Sequence, residues 1–310
     1  MKKNFSKITA LVVGDLMLDA YVYDRKNRKS PEADVPIVLE ENIKYFAGGA
    51  GNVIMNIKAL GAKVIPIGVL GDDLHAERLI TIFHNSEIKT DNIIQSKNLN
   101  TTIKKRIFIK NEQFVRLDKD IENIDDEIHK KIFINVQKNI EFCDIVILSD
   151  YEKGSLPEDL CKSIIELAIE RKIPVIVDPK KNKIQCYNHS YAITPNLNEA
   201  IKLSGSKDIN RIIAFFQRTI NKNNIKYILF KNGREGITLI TKNYIKKFEA
   251  LNVKNPDVAG AGDTVISTFS LLVAAEYNIE DCVKLANIAA GKAVGKKHTS
   301  IVEIDEIFKD

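Results

Sequence analysis

Short apolar runs alternate along the chain with longer stretches in which apolar residues recur at helical spacing. The runs predict buried strands at residues 8–13, 64–69, 145–148, 174–177, 191–194, 226–230 and 237–240. The helical spacing predicts helices at residues 73–83, 124–142, 160–172 and 283–294. This alternation indicates a three-layer α/β fold, in which helices flank a mostly parallel central sheet built with right-handed crossovers.

Two β-rich segments without helical spacing interrupt this alternation. They span about residues 20–46, which contain Pro31 and Pro36, and residues 101–118. We expect the two inserts to pair into one small sheet that forms a β lid over a ligand site. The sequence has no repeat and no interdomain linker, so we expect a single domain over residues 1–310. Exposed β inserts also predict a homodimer through the lid.

Composition and charge narrow the functional classes. Of the 310 residues, 45% are hydrophobic and 28% are charged, as is typical of a globular protein. Long apolar runs and the apolar segment of a secretory signal are both missing, which argues against a membrane partner. The net charge of +5 is spread along the chain, which indicates solvated faces and not a nucleic-acid patch, and a small anionic substrate fits this modest excess equally well. The four cysteines form no C-x-x-C pair, so we expect reduced thiols in a cytoplasmic protein.

Residues 257–264 carry the strongest chemical signal. The small residues Gly260, Ala261 and Gly262 precede a helical pattern, so backbone N–H groups at the helix start can approach an anion closely. An aspartate at this place repels phosphate, but it suits a general base that takes a proton from an attacking hydroxyl. Asp263 is therefore the candidate base. The alternative is a glycine-rich turn in which Asp263 is only an acid of the first helical turn.

Polar residues recur where the predicted strands end, which is where open α/β sheets bind ligands. Asp15 and Asp19 follow the first strand and can accept hydrogen bonds from sugar hydroxyls, although turn acids are the alternative. Asn196 and Glu199 share one face of a first helical turn and can hold hydrated Mg²⁺ near phosphate oxygens. A capping box is a compatible reading of this pair. The other strand-end residues are Asp150, Lys153, Asp178 and Lys180.

Glycines before a second helical pattern form another candidate site. Gly48 and Gly49 lie just before Asn52, so bare N–H groups and an amide can receive a sugar or phosphate there. Tight packing of a helix on a strand is an equally good explanation of these glycines.

A third candidate region follows the last predicted parallel strand. Lys231 ends this strand, and Gly233 and Gly236 are typical of a hairpin, with nucleotide contact as a second possibility. Asn287 lies on an alanine-rich helix, where it is either a tolerated polar residue or part of an adenine pocket.

Three of these motifs resemble the PfkB (ribokinase-like) family of carbohydrate kinases. The signature D-[TV]-x-G-A-G-D matches residues 257–263, a glycine signature matches residues 48–52, and N-x-x-E matches Asn196 and Glu199. The resemblance covers nearly the whole chain. It implies a ribokinase-like fold, ATP and Mg²⁺ as cofactors, Asp263 as general base, and Glu199 as a metal contact through water.

Further motifs resemble the members of this family that phosphorylate D-glycero-β-D-manno-heptose 7-phosphate. These motifs occupy residues 14–19, 30–33, 114–118, 149–154 and 178–180. The resemblance implies transfer to the anomeric hydroxyl, giving the 1,7-bisphosphate of ADP-heptose and lipopolysaccharide core biosynthesis. Such kinases are often fused to a nucleotidyltransferase domain, and the end of the sequence at Asp310 suggests a stand-alone kinase.

The resemblance also implies roles for the candidate residues. The nucleotide side comprises Asn196, Glu199, Lys231, Gly233, Gly236 and Asn287, and Gly260, Ala261 and Gly262 contact the transferred phosphoryl group. The acceptor side comprises Asp15, Asp19, Gly48, Gly49, Asn52, Asp150 and Asp178, with Arg106, Arg116, Lys153 and Lys180 as candidates for the sugar phosphate.

Three other functions compete with the heptose kinase. A kinase of the same family can act on another sugar phosphate or on a nucleoside. A non-catalytic sugar-binding protein is less consistent with the retained Asp263, Asn196 and Glu199. A dinucleotide-binding oxidoreductase is weaker still, because no G-x-G-x-x-G follows the first strand.

Overall fold

The computed structural model describes residues 4–24, 28–110, 112–254, 256–296, 298 and 301–308. Within these ranges the strands are β1 (Thr9–Gly14), β2 (Leu16–Asp24), β3 (Arg28–Lys29), β4 (Pro36–Ile37), β5 (Ile43–Gly49), β6 (Lys63–Gly71), β7 (Ile93–Ser96), β8 (Thr102–Ile109), β9 (Glu112–Lys119), β10 (Ile145–Ser149), β11 (Val175–Asp178), β12 (Ala192–Ile193), β13 (Tyr227–Lys231), β14 (Ile237–Ile240) and β15 (Ile245–Phe248). The helices are α1 (Ala50–Ala59), α2 (Leu74–Asn85), α3 (Asp126–Asn139), α4 (Glu158–Glu170), α5 (Leu197–Ser204), α6 (Ile209–Asn223), α7 (Ala261–Ala274), α8 (Ile279–Val294) and α9 (Ile304–Ile307). No helix in this part of the chain is both long and apolar enough to cross a membrane.

The central sheet has the strand order β15-β14-β13-β12-β11-β10-β1-β6-β7. The seven strands from β13 to β7 in this order, which are β13, β12, β11, β10, β1, β6 and β7, pair in parallel. Strands β14 and β15 join as antiparallel strands at one edge. After β1 the chain builds β6 on one side and later β10 on the other. Such a reversal opens a crevice at the carboxyl ends of the strands, and the predicted strand-end residues lie along this edge.

Both faces of the central sheet are covered by helices. Ala10 and Val12 of β1 pack with α1, α2, α7 and α8, while the alternate residues Leu11 and Val13 pack with α3, α4 and α6. This alternation follows from the two-residue period of a strand. The predicted three-layer α/β fold with a mostly parallel sheet is confirmed.

A separate sheet forms the predicted small β lid. Its strand order is β5-β2-β8-β9, so β2 of the first insert pairs in parallel with β8 of the second. The first insert is longer than the predicted residues 20–46, because β2 and β5 stay hydrogen-bonded as far as Leu16 and Gly49. Part of this insert, residues 25–27, lies outside the described ranges.

Candidate active site

Asp263 lies in the first turn of α7, with only 7% of its surface exposed. The Asn52 amide donates a hydrogen bond to its Oδ2 at 2.7 Å, and the Tyr151 hydroxyl donates to its Oδ1. Burial raises the pKa of Asp263 to about 6, although both hydrogen bonds favour the ionised form. A carboxylate with this pKa is ionised near neutral pH and can still accept a proton, as a general base must.

The start of α7 offers donors for an anion beside this carboxylate. Gly260 precedes the helix with a φ of 78°, a left-handed conformation that glycine adopts without strain. Ala261 donates its N–H to the preceding turn, whereas the N–H groups of Gly262 and Asp263 have no acceptor within the helix. The Lys231 ammonium lies over the same turn, since a Cβ on Gly262 would stand 3.2 Å from its Nζ. Backbone donors and one cation therefore converge at the helix start.

Lys231 is held in place by Asp178, the residue that ends β11. Its ammonium donates to Asp178 Oδ1 at 2.7 Å, and the Thr194 hydroxyl donates to the same oxygen at 2.7 Å. Although burial lowers the pKa of Lys231, the carboxylates of Asp178 and Glu199 raise it overall. The ammonium is therefore charged at neutral pH and can face phosphate oxygens.

Asn196 and Glu199 form a complete capping box at the start of α5. Asn196 Oδ1 accepts the Glu199 N–H at 3.0 Å, and Glu199 Oε2 accepts the Asn196 N–H at 2.8 Å. Lys180, a candidate for the sugar phosphate, instead donates to Glu199 Oε1 at 2.9 Å. This ion pair holds Lys180 beside the capping box, with its Nζ 6.0 Å from the centre of the Tyr151 ring, and its contact with the sugar phosphate stays a prediction.

Glu199 fits a metal contact through water better than a direct bond. Both of its carboxylate oxygens already accept hydrogen bonds, from Lys180 and from the side chain and backbone of Asn196. A magnesium ion at this place would therefore take most of its ligands from nucleotide phosphates and water, which is usual for this ion.

The lid brings a second set of predicted residues to the other side of Asp263. Asp19 of β2 and Arg106 of β8 form an ion pair of 2.7 Å. Gly48 packs against it so closely that a Cβ there would come within 2.8 Å of Asp19 Oδ2. Gly49 has a φ of 56°, and the helix that carries Asn52 begins at the next residue. Asn52 connects this group to the active site, because its amide donates a hydrogen bond to Asp263.

Asp15 lies beneath the site, with 1% of its surface exposed. Its carboxylate accepts the backbone N–H groups of Tyr151, Lys153 and Ser155 at 2.8, 3.1 and 2.9 Å. The predicted sugar contact of Asp15 stays a prediction, because its carboxylate is covered and already accepts three backbone donors. Asp15 fixes the loop that places Tyr151 on Asp263.

Asp150 is also covered by the chain itself. It is 2% exposed, and its Oδ2 accepts the Lys181 ammonium and, at 2.8 Å, the Tyr187 hydroxyl. The predicted substrate contact of Asp150 stays a prediction, since side chains of the chain itself already bind this carboxylate. Lys153 lies on the same loop and pairs with Asp120.

The remaining predicted residues shape a turn or contact other parts of the chain. Gly233 and Gly236 shape the turn between β13 and β14, with φ of 55° and 87°. The Asn287 amide donates to the Glu249 carbonyl at 2.6 Å. Arg116 lies on β9, at the edge of the lid, and pairs with a carboxylate on the same strand. Their nucleotide and sugar contacts stay predictions.

Three residues that sequence reasoning did not single out lie in or beside the site. Tyr151 follows the strand-end Asp150 directly, and that position was the available signal. Burial and the Asp263 charge raise the pKa of Tyr151. Its hydroxyl therefore stays protonated and can donate a hydrogen bond. Lys104 of β8 holds its Nζ 5.5 Å from the centre of the Tyr151 ring. Lys181 directly follows the motif at residues 178–180, and it forms an ion pair with Asp150.

Curated relatives match the chain along almost all of its length. The bifunctional protein HldE of Aliarcobacter butzleri is 38% identical over 307 residues, which are 98% of this chain and 64% of that protein. The HldE protein of Helicobacter pylori is 34% identical over 303 residues, which are 96% of this chain and 65% of that protein. The chain thus spans slightly less than two thirds of the length of these relatives.

Solved structures share the fold at low sequence identity. Phosphofructokinase-2 from Escherichia coli superposes with a TM-score of 0.81 at 17% identity, covering 97% of this chain and 96% of that one. Ribokinase from Arabidopsis thaliana, complexed with ribose and ATP, gives a TM-score of 0.76 at 18% identity, with 97% of each chain covered.

The comparison with family models agrees with the three sequence motifs. The model described as pfkB family carbohydrate kinase matches residues 7–306. The predicted resemblance is confirmed by this match together with the HldE relatives. The chain therefore belongs to the pfkB family of carbohydrate kinases, and it is an ATP-using phosphotransferase with an alcohol group as acceptor.

Proposed function

We propose that the chain transfers the γ-phosphoryl group of ATP to the anomeric hydroxyl of D-glycero-β-D-manno-heptose 7-phosphate. The product is the 1,7-bisphosphate of ADP-heptose and lipopolysaccharide core biosynthesis, made in the cytoplasm. The observation that carries the proposed chemistry is the buried Asp263 carboxylate, held by Asn52 and Tyr151 at the start of α7. The heptose is supported by the motifs at residues 149–154 and 178–180 and by the HldE relatives.

Asp263 takes the proton of the attacking hydroxyl while the hydroxyl oxygen forms a bond to the γ-phosphorus. The bond from that phosphorus to the bridging oxygen of ADP breaks, and ADP leaves with the electron pair. The N–H groups of Gly262 and Asp263 and the ammonium of Lys231 stabilise the charge on the transferred group. These donors lie close together, because the Lys231 ammonium would be only 3.2 Å from a Cβ on Gly262.

The two sides of the site divide the substrates. Asp19, Gly48 and Asn52 hold the sugar against Asp263, with Gly49 shaping the turn between them. Lys231, Asn196 and Glu199 face the nucleotide phosphates, and Glu199 would hold Mg²⁺ through water. The metal ion, when bound, neutralises phosphate charge during the transfer. Gly233, Gly236 and Asn287 complete the nucleotide side.

Turnover with a panel of acceptors tests this function. We expect kcat/KM with ATP and the heptose 7-phosphate to exceed the values for fructose 6-phosphate and ribose by roughly 10²-fold or more, because an unmatched acceptor leaves polar groups of the site unpaired. Coupled detection of ADP measures all three. A higher value for fructose 6-phosphate or ribose would assign the chain to another kinase of the family, the second candidate function.

We also propose that the chain forms a homodimer through the lid. The edge strand β9 exposes Phe114 and Leu117, at 59% and 52%, on a sheet whose outer strand has no partner within the described chain. An exposed apolar edge strand is a template for pairing with a second copy.

Leu117→Glu is expected to convert the dimer into a monomer, because it buries a charge at the paired edge. Light scattering gives the mass of each form in solution. Ile169→Glu, the same change at a 48% exposed position of α4, serves as the control and should leave the mass unchanged. A wild-type chain that is monomeric at micromolar concentration, or a Leu117→Glu variant that stays dimeric, would contradict this interface.

A further inference from the structure

The lid sheet presents a charged inner face to the site. Because residues alternate across a strand and the registers pair Asp19 with Lys104 and Lys104 with Asp118, these side chains share one face. Arg106 follows Lys104 by two residues on β8 and pairs with Arg116 of β9, so both arginines lie on the same face. The position of the Lys104 ammonium over the Tyr151 ring shows that this face is turned toward Asp263.

Three cations around this face are each neutralised by a carboxylate. Arg106 pairs with Asp19 at 2.7 Å, and Arg116 pairs with Asp118 at 2.9 Å. Lys153, on the loop that faces the lid, pairs with Asp120. The candidates that the sequence offered for the sugar phosphate are therefore already matched, as is Lys180 by its capping-box carboxylate.

Lys104 is the cation left over in this arrangement. Within the described residues it makes no hydrogen bond or ion pair, and its Nζ lies 5.5 Å from the centre of the Tyr151 ring. Burial lowers the pKa of Lys104, and the nearby Asp19 and Asp118 charges offset this effect only in part. A partly buried ammonium without a paired anion is costly unless a ligand supplies one.

We propose that Lys104 binds the non-reacting phosphate of a phosphorylated acceptor and thereby sets a preference for sugar phosphates over free sugars. The proposal deepens the sugar-kinase function and rests on it. Tyr151 separates Lys104 from the base, with its ring under the ammonium and its hydroxyl on Asp263. An acceptor whose reacting hydroxyl lies at Asp263 would extend past Tyr151 toward Lys104, which supplies the cation that its phosphate requires.

The test compares pairs of acceptors that differ only by the phosphate: heptose 7-phosphate with heptose, and fructose 6-phosphate with fructose. In Lys104→Met, kcat/KM for the preferred phosphorylated acceptor should fall roughly 10- to 100-fold, the usual effect of losing a hydrogen bond to a charged group. The value for its unphosphorylated partner and the KM for ATP should change little. Lys104→Arg should recover much of the preference, because it restores the charge.

Lys105→Met is the matched control. Lys105 is the next residue of β8, points to the opposite face and pairs with Glu40 at 2.6 Å. It should keep the wild-type preference for the phosphorylated acceptor.

The outcomes separate this proposal from the heptose assignment. If Lys104→Met retains the wild-type preference, or if Lys105→Met loses it equally, the role of Lys104 is overturned while the heptose assignment stands. If the wild-type chain prefers fructose 6-phosphate and Lys104→Met removes that preference, the heptose assignment fails and the role of Lys104 stands. If the wild-type chain favours no phosphorylated acceptor, both fail.

Discussion

Replacing Asp263 with asparagine is expected to lower kcat by roughly 10²–10⁴-fold, the usual contribution of a positioned general base. The loss corresponds to roughly 3–5 kcal/mol in the activation free energy. Asparagine has nearly the same size and still accepts a hydrogen bond from Asn52, so the KM values for ATP and the acceptor should change little. Steady-state kinetics with both substrates varied measures each quantity.

A matched control separates the chemistry from general effects of losing a carboxylate. Asp159 lies on α4 with a side chain that is 97% exposed, and Asp159→Asn should keep the wild-type kcat. Thermal unfolding of Asp263→Asn verifies that the variant is folded. Near-normal turnover in that folded variant would remove Asp263 from the chemical step.

Local sequence signals located part of the site because the chemistry there depends on neighbours in the chain. The glycine-entered start of α7 fixes where Asp263 can lie, and the capping box of Asn196 and Glu199 closes within four residues. The alternation of apolar runs likewise determined the layers of the fold, and the β-rich inserts determined the lid. The elements themselves need only residues that are close in sequence, although the lid is completed by pairing β2 with β8 across a long sequence separation.

The sequence could not assign Asp15 and Asp150, because a strand-end carboxylate looks the same whether it meets a ligand or the chain itself. Their partners are three N–H groups of a loop some 140 residues away for Asp15, and the side chains of Lys181 and Tyr187 for Asp150. Only the tertiary arrangement shows that these oxygens are occupied.

The cations illustrate the same limit. Composition is compatible with an anionic substrate, but which lysine stays unmatched depends on the register of β8 between β2 and β9. A shift of one residue would exchange Lys104 and Lys105 between the two faces of the lid. The sequence therefore listed Lys153 and Lys180, which are paired, and passed over Lys104.

Changing Tyr151 to phenylalanine is expected to move the acid limb of kcat/KM to higher pH by roughly one to two units. A hydrogen bond from the Tyr151 hydroxyl favours the ionised Asp263, so its loss raises the pKa of that carboxyl above about 6. The base is inactive when protonated, so activity is lost as pH falls through the pKa. At pH 6 the variant should therefore be roughly 5- to 50-fold slower than wild type, and above about pH 9 nearly equal to it.

Other charges near the pair do not change in this variant. The Asp178 carboxylate raises the pKa of Asp263 and the Lys231 ammonium lowers it, and both remain. The charges that face Tyr151 itself, on Glu199, Lys104 and Lys180, also remain. Phosphate groups of the substrates titrate near pH 6 too, but they contribute equally to every variant.

The pH dependence of kcat/KM for wild type, Tyr151→Phe and Tyr187→Phe is the measurement that tests the role of Asp263 most directly. Tyr187 is the control, because its buried hydroxyl donates to Asp150 and makes no contact with Asp263. The predicted result is an acid limb that moves upward in Tyr151→Phe and stays in place in Tyr187→Phe. An acid limb that is the same in all three proteins would contradict Asp263 as the base.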